Sequence, residues 1–181
     1  MRSFLKKLQN KIIKFIIPVK NNDLYKIEHY GTYYGGNDIV NKTQIKNVIS
    51  CGLGEDATFD IEMLNKFDCK IFVIDPTPRS IIHYKEIRKR FGKKNDKNYE
   101  TKGGKQDVRC YNLESINEKN LFFLDKAITN KNKSKIKLYF PINEEFVSTS
   151  FENDKNYSSK YLLADTINIE NIVAKYEIKN I

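Results

Sequence analysis

Short apolar runs alternate with helical patterns between residues 48 and 90. The run at residues 48–51 ends in a glycine turn, and a helical pattern begins at Ala57. The run at residues 70–74 ends at Asp75, and Thr77 followed by Pro78 is a typical start for a helix that extends toward Arg90. This order predicts parallel strands with helices on both faces, and ligands bind such sheets beyond the carboxyl ends of the strands.

The second half of the chain has a different pattern. Residues 91–110 are polar and lysine-rich, show no apolar period, and predict a flexible loop to which we assign no site. Residues 121–124 and 135–140 are predicted strands on either side of a polar turn, which indicates a β-hairpin. Apolar positions within residues 165–176 suit a short helix.

Two features precede the first predicted strand. Residues 1–20 place apolar side chains at helical spacing with lysines between them, which predicts a basic amphipathic helix. Lys14 and Pro18 interrupt its apolar stretch, so it is not an export signal. It can contact a membrane surface weakly or cover an edge of the domain, and we favour the second interpretation. Residues 30–38 hold three glycines and three tyrosines, and predict either a loop over a ligand or an ordinary packed turn.

Composition indicates one globular domain. The chain has 181 residues, of which 40% are hydrophobic, enough for a sizeable core. No apolar run approaches the roughly 20 residues of a membrane-spanning helix. Three cysteines without a CxxC pair favour a reducing compartment, and we predict the cytoplasm. We divide the chain into residues 1–44, with the basic helix and the tyrosine-glycine loop, and residues 45–181, an α/β domain that contains the alternating strands and helices.

The net charge of +9 raises the question of an anionic partner. Of the 32 basic residues only five are arginine, whereas proteins that recognise nucleic acid favour the planar arginine fork. The charge is concentrated in residues 85–105 and 126–137, and a charge run is usually a solvated face. We therefore do not expect nucleic acid as a partner, although a basic module that binds nucleic acid or an anionic membrane stays open as an alternative.

The glycine turn supplies the candidate chemistry. Gly52 to Ala57 fit the pattern G-x-G-x-x-A after a strand, and Asp75 follows at the end of the next strand, where its carboxylate can accept hydrogen bonds from ribose hydroxyls. NAD and S-adenosylmethionine both fit this pattern. A pyrophosphate would meet Glu55 and Asp56, and each contact at ~5 Å costs roughly 3 kcal/mol at an effective dielectric constant of 20. S-adenosylmethionine has no phosphate, so we favour it over NAD, with an ordinary turn as the third interpretation.

The chain resembles the FkbM-type methyltransferases, which transfer a methyl group from S-adenosylmethionine, mostly to hydroxyl oxygens. The resemblance is carried by residues 30–36, 48–60, 75–81, 139–143 and 147–150. It implies an α/β, Rossmann-like class I methyltransferase fold, with S-adenosylmethionine as cofactor and a small molecule or glycan as acceptor. The residues expected to bind the cofactor are Gly52, Leu53, Gly54, Glu55, Asp56, Asp75 and Pro76.

Two departures from the family bear on activity. Ser50 and Asp56 stand where the usual turn has an acid and a third glycine. The family also continues with a central strand whose acidic residues border the active site, and this chain ends where that strand would begin. We therefore expect an incomplete parallel sheet with an open edge at residues 48–51, a hairpin insertion, and a truncated chain with little or no activity, an inactive remnant being a further alternative.

No catalytic residue stands out. His29 lies beside the tyrosine-glycine loop and His83 lies inside the second predicted helix, and both are weak candidates for a general base. Ser148 and Ser150 are weak candidates for a hydrogen bond to an acceptor hydroxyl. We predict no metal site, because no cluster of residues has the spacing of metal ligands.

Overall fold

A three-stranded parallel sheet forms the centre of the protein in the computed structural model, which describes residues 26–40, 44–100, 104–130 and 134–179. Its strands are β3 (Asn47–Cys51), β4 (Lys70–Ile74) and β5 (Leu121–Leu124), in the order β3-β4-β5. Val48 pairs with Ile71, which in turn pairs with Leu121. The predicted parallel strands are therefore confirmed.

Helices cover both faces of this sheet, as predicted. Helices α1 (Thr58–Lys66) and α2 (Pro78–Arg88) pack on one face, and α3 (Ile169–Lys175) packs on the other. Alternate residues of β4 serve the two faces, as the pleat of a strand requires. Ile71 and Val73 lie in the cluster with α1 and α2, while Phe72 and Ile74 lie in the cluster with α3. The result is an α/β fold with its core on both sides of the sheet.

The predicted hairpin between residues 121–124 and 135–140 is wrong in its pairing. Strand β5 pairs with β4, whereas β7 (Lys135–Pro141) pairs antiparallel with β8 (Tyr157–Ile167). Leu121 and Leu124 are buried and the two phenylalanines between them are half-buried, which suits a strand covered on both faces and not a two-stranded hairpin. Strand β8 also pairs with the short parallel strand β6 (Ala127–Ile128). Helix α3 lies within the predicted segment but starts at Ile169, because β8 extends through Ile167.

The tyrosine-glycine segment is more regular than predicted. Strands β1 (Ile27–Tyr30) and β2 (Asn37–Val40) form an antiparallel hairpin, and residues 31–36 are the loop between them. Tyr30 belongs to the core cluster of α1, so the hairpin is packed on the domain at this position. The loop itself is thereby placed near the glycine turn.

The described parts of the lysine-rich segment between α2 and β5, residues 89–100 and 104–120, are tied to the rest of the chain by backbone hydrogen bonds and a few buried side chains, which differs from the expectation of a flexible loop. Gly92 N donates to Leu113 O at 2.8 Å, and Asp96 N donates to Arg109 O at 3.0 Å. A short 3-10 helix occupies Val108–Cys110, and Gln106 and Cys110 are buried. The sequence does not predict these contacts, because most of them are backbone hydrogen bonds and only a few side chains of this polar segment are buried.

The predicted amphipathic helix at residues 1–20 lies outside the described residues. No helix in the part of the chain that is described is long and apolar enough to cross a membrane. Strand β3 has β4 as its only strand neighbour among the described residues, which confirms an edge position for residues 48–51.

Candidate functional site

A cavity of about 550 Å³ lies beyond the carboxyl ends of β3 and β4. Four segments that are far apart in the sequence converge on it: the tyrosine-glycine loop, the glycine turn, residues 75–77 and residues 147–149. The small sheet of β6, β7 and β8 closes the opposite side through Ile128, Ile136 and Leu138. The volume is within the range of about 300–1,000 Å³ that small-molecule sites occupy.

The glycine turn follows β3 directly. Gly52 N still donates to Ile74 O at 2.9 Å, which continues the pairing of β3 with β4 into the turn. Gly52 has φ +94° and Gly54 has φ +54°, conformations that favour glycine over other residues. A side chain at Gly54 would also meet Val147 of the facing wall at 3.4 Å. Both glycines are therefore required by backbone conformation.

Asp75 holds this turn through a set of short hydrogen bonds. Its Oδ2 accepts from Leu53 N at 2.9 Å and from Gly54 N at 3.0 Å. Its Oδ1 accepts from Thr77 N at 2.8 Å and from the Thr77 hydroxyl at 2.7 Å. Asp75 is only 5% exposed, although it lines the cavity. Its role as a ribose ligand stays a prediction, and of the four bonds only that from the Thr77 hydroxyl can be released by a simple rotation.

The two acids after the turn differ in environment. Glu55 Oε2 lies 3.4 Å from Arg79 Nη1 and its Oε1 lies 3.5 Å from Lys105 Nζ, so two cations offset its charge. Asp56 is buried and has no such cation in the ion pairs of the described chain. Its Oδ1 accepts from Thr58 N at 2.9 Å, a bond that satisfies a free amide in the first turn of α1. Asp56 thus stabilises the first turn of α1 and at the same time lines the cavity.

The tyrosine-glycine loop closes over Asp56. The Thr32 hydroxyl donates to Asp56 Oδ2 at 2.6 Å, and Gly35 N donates to the same hydroxyl at 3.0 Å. A Cβ on Gly35 would lie 2.4 Å from Asp56 Cγ, a distance that no side chain tolerates. Gly35 therefore allows the loop to seat on the carboxylate and to line the cavity with Tyr34.

Of the weak catalytic candidates, only Ser148 lines the cavity. Ser150 instead forms a bridge with Tyr139, and its hydroxyl accepts from Glu152 N at 3.0 Å. His29 Nδ1 lies 2.7 Å from Asp38 Oδ1 in the hairpin, and this hydrogen bond raises the pKa of His29. A raised pKa keeps more of the imidazole protonated, which makes His29 a poorer base at neutral pH.

His83 does not line the cavity either. It is 2% exposed, and its Nε2 lies 2.8 Å from the Tyr111 hydroxyl, which accepts from Ala57 N at 3.0 Å. Burial lowers the pKa of His83, so the neutral imidazole is favoured. These hydrogen bonds connect His83 of α2, through the Tyr111 hydroxyl, to Ala57 at the start of α1. They indicate a structural role for His83.

The sequence patterns do not single out several residues that line the cavity. Lys126 lies two residues after the carboxyl end of β5, whereas Asp75 directly follows β4, and the rule that ligands bind beyond the carboxyl ends of parallel strands covers both positions. Phe151 and the inward residues of β7 carry no such signal, because their position depends on the pairing of β7 with β8. A second cavity of about 400 Å³ shares Thr77 and Val147 with the first, and Phe140, Ile142 and Phe146 form its apolar wall.

No protein-family model, curated protein or solved structure matches this chain significantly. Within residues 26–40, 44–100, 104–130 and 134–179, no group of three His, Cys, Asp or Glu side chains is placed to hold a metal ion.

Proposed function

We propose that the cavity binds S-adenosylmethionine and that the protein is a methyltransferase acting on a hydroxyl group. The observation that supports this is convergence: four of the five segments that resemble the FkbM-type methyltransferases, at residues 30–36, 48–60, 75–81 and 147–150, contribute residues to one cavity. The cavity lies where ligands bind in parallel α/β sheets.

The lining residues fit the parts of this cofactor. Asp75 Oδ1 is the group for a ribose hydroxyl, which would replace the Thr77 hydroxyl as a donor. Lys126 supplies a positive charge for the carboxylate of the methionine end, and the buried Asp56 supplies a negative charge for a cationic group. Ile128, Ile136 and Leu138 offer apolar surface for a base.

The bound cofactor supplies a methyl group already activated by its sulfonium. The chain then has to bring the acceptor oxygen into line and exclude water. Ser148 and Thr149 line the cavity and can hydrogen-bond an acceptor hydroxyl. The second cavity lies on the other side of Thr77 and Val147, and it offers a small-molecule or glycan acceptor a place to rest against Phe140 and Phe146.

The competing basic module is less well supported. In the lysine-rich segment, Lys97 pairs with Asp107 at 2.8 Å, Lys94 with Glu114 at 3.5 Å and Lys105 with Glu55 at 3.5 Å. Cations that already contact carboxylates have less to gain from phosphate. Phosphate-driven binding would weaken steeply with salt, whereas binding of S-adenosylmethionine should change little.

Calorimetry with S-adenosylmethionine and NADH tests the proposal. We expect S-adenosylmethionine to bind the wild-type chain more tightly than NADH. Asp75→Ala should weaken S-adenosylmethionine binding by about 1.5–3 kcal/mol, the value of hydrogen bonds to a charged group. Asp68→Ala is the matched control, because Asp68 is exposed and lies outside the cavity. Tighter binding of NADH, or equal losses in the two variants, would contradict the proposal.

A further inference from the structure

The two amides at the centre of the glycine turn are already bound to an anion of the chain itself. Leu53 N and Gly54 N both donate to Asp75 Oδ2, at 2.9 and 3.0 Å. Backbone amides of a glycine-rich turn are the donors that hold phosphate groups in nucleotide sites. In this chain a phosphate would have to displace a buried carboxylate to reach them.

We propose that Asp75 determines the ligand class of this turn by occupying its amides, so that the cavity selects a nucleoside ligand without a phosphate at the turn. Only the identity of that ligand as S-adenosylmethionine rests on the proposed function. The claim about phosphate depends on the contacts of Asp75 alone.

The other two acids near the turn do not have this position. Glu55 is offset by Arg79 and Lys105, at 3.4 and 3.5 Å. Asp56 directs its oxygens to Thr32 and to the amide of Thr58. Phosphate could be excluded by general repulsion from negative charge or by occupation of the turn amides. These two mechanisms predict different effects of mutation, because of the three acids only Asp75 contacts those amides.

Three variants separate these two mechanisms. Asp75→Ala removes the carboxylate and frees both amides. Asp75→Asn removes the charge but keeps a carbonyl oxygen that can accept from the amides. Glu55→Gln removes one negative charge at the same end of the sheet without touching the amides. Binding of inorganic phosphate and of ADP is measured for the wild type and each variant by ¹H–¹⁵N spectroscopy, with circular dichroism to confirm folding.

We expect Asp75→Ala to gain about tenfold or more in affinity for both probes, the factor that corresponds to new hydrogen bonds to a charged ligand. Its Leu53 and Gly54 amide signals should move on titration, while Asp75→Asn and Glu55→Gln should gain much less. Equal gains in the three variants would show that charge alone excludes phosphate and would overturn the proposal. Absence of any gain in folded Asp75→Ala would overturn it as well.

The wild-type protein provides a test that does not depend on any variant folding. Its Leu53 and Gly54 amide signals should stay unchanged as inorganic phosphate is added, and movement of these two signals would contradict the proposal. Neither arm uses S-adenosylmethionine. A failure of that cofactor to bind would therefore count against the proposed function, and would leave the result for Asp75 standing.

Discussion

Asp60 is a carboxyl group in the interior that lacks a full set of hydrogen-bond partners. It is 3% exposed on α1, it bonds with Ser50 of β3, and its Oδ1 has no partner in the described part of the chain. Burial raises the pKa of Asp60 to about 7, and the nearby Asp56 adds to this effect. Between about pH 4 and pH 7 the folded state therefore holds a proton that the unfolded state releases.

The sign of this linkage gives a prediction for Asp60→Asn. Because the folded state binds the extra proton, the free energy of unfolding of the wild type falls as pH rises through this window, and the neutral variant lacks that contribution. From pH 4 to pH 8 the wild type should lose on the order of 2–4 kcal/mol relative to Asp60→Asn. Urea unfolding at several pH values measures this difference.

The control for this prediction is Asp68→Asn. Asp68 is exposed just beyond the end of α1, so its variant should follow the pH dependence of the wild type. An Asp60→Asn protein whose stability keeps the wild-type pH dependence would show that Asp60 is not the group responsible.

At the scale of elements, the tyrosine-glycine loop and α1 form one unit through Asp56. Gly35 has to approach the Asp56 carboxylate so closely that an added Cβ would lie 2.7 and 2.8 Å from its two oxygens. The carboxylate cannot move away without losing its bonds to the Thr32 hydroxyl and to Thr58 N. The loop must therefore lift if the glycine is replaced.

We predict that Gly35→Ala destabilises the protein by about 1–3 kcal/mol, the usual cost of overpacking a filled site. Hydrogen exchange at Gly36 N, which donates to Thr32 O at 2.7 Å, should become faster as the loop lifts. Tyr33→Ala is the matched control, because Tyr33 belongs to the same loop and is 93% exposed. Unchanged stability and exchange in Gly35→Ala would contradict this account of the loop.

Elements with strong local signals were predicted well from the sequence. Strand β4 matches its apolar run at both ends, and the pair Thr77-Pro78 locates the start of α2. Strand β8 was missed, because Tyr157–Ile167 mixes polar and apolar residues and is held by its pairing with β7 on one side and β6 on the other. The hairpin error has the same cause, since strand pairing is a tertiary property that short runs do not encode.

In the candidate site, too, local sequence signals are predictive and tertiary contacts are not. The sequence predicts that Gly52, Gly54 and Asp75 belong to a ligand site, because such sites follow the carboxyl ends of parallel strands, and all three residues line the cavity. The hydrogen bonds of Asp75 to the amides of Leu53 and Gly54 are not predictable in this way. A carboxylate that binds a ribose and one that binds backbone amides of the same chain look identical in sequence. Ser148 and Ser150 are only two residues apart in the sequence. Ser148 lines the cavity, whereas Ser150 forms a β-bridge with Tyr139, a pairing that the sequence does not predict.

At the scale of the whole molecule, no strand pairs with the outer side of β3 within the part of the chain that the structure describes. Gly52 N donates to Ile74 O and Lys46 O accepts from Lys70 N, so alternate residues of β3 direct their backbone groups toward β4. By this alternation the amides of Ile49 and Cys51 face away from β4. A row of free donors and acceptors on a sheet edge is a template for pairing with another strand.

Hydrogen exchange along β3 should reveal this open edge. We predict that the amides of Ser50 and Gly52 exchange slowly, because they bond to β4, and that those of Ile49 and Cys51 exchange much faster within the same strand. The measurement is made at low protein concentration and repeated at high concentration. If copies of the chain associate through this edge, the fast amides become protected as the concentration rises. Uniform slow exchange of all four amides at low concentration would mean that another segment already covers the edge, and the open side of the sheet would then be wrong.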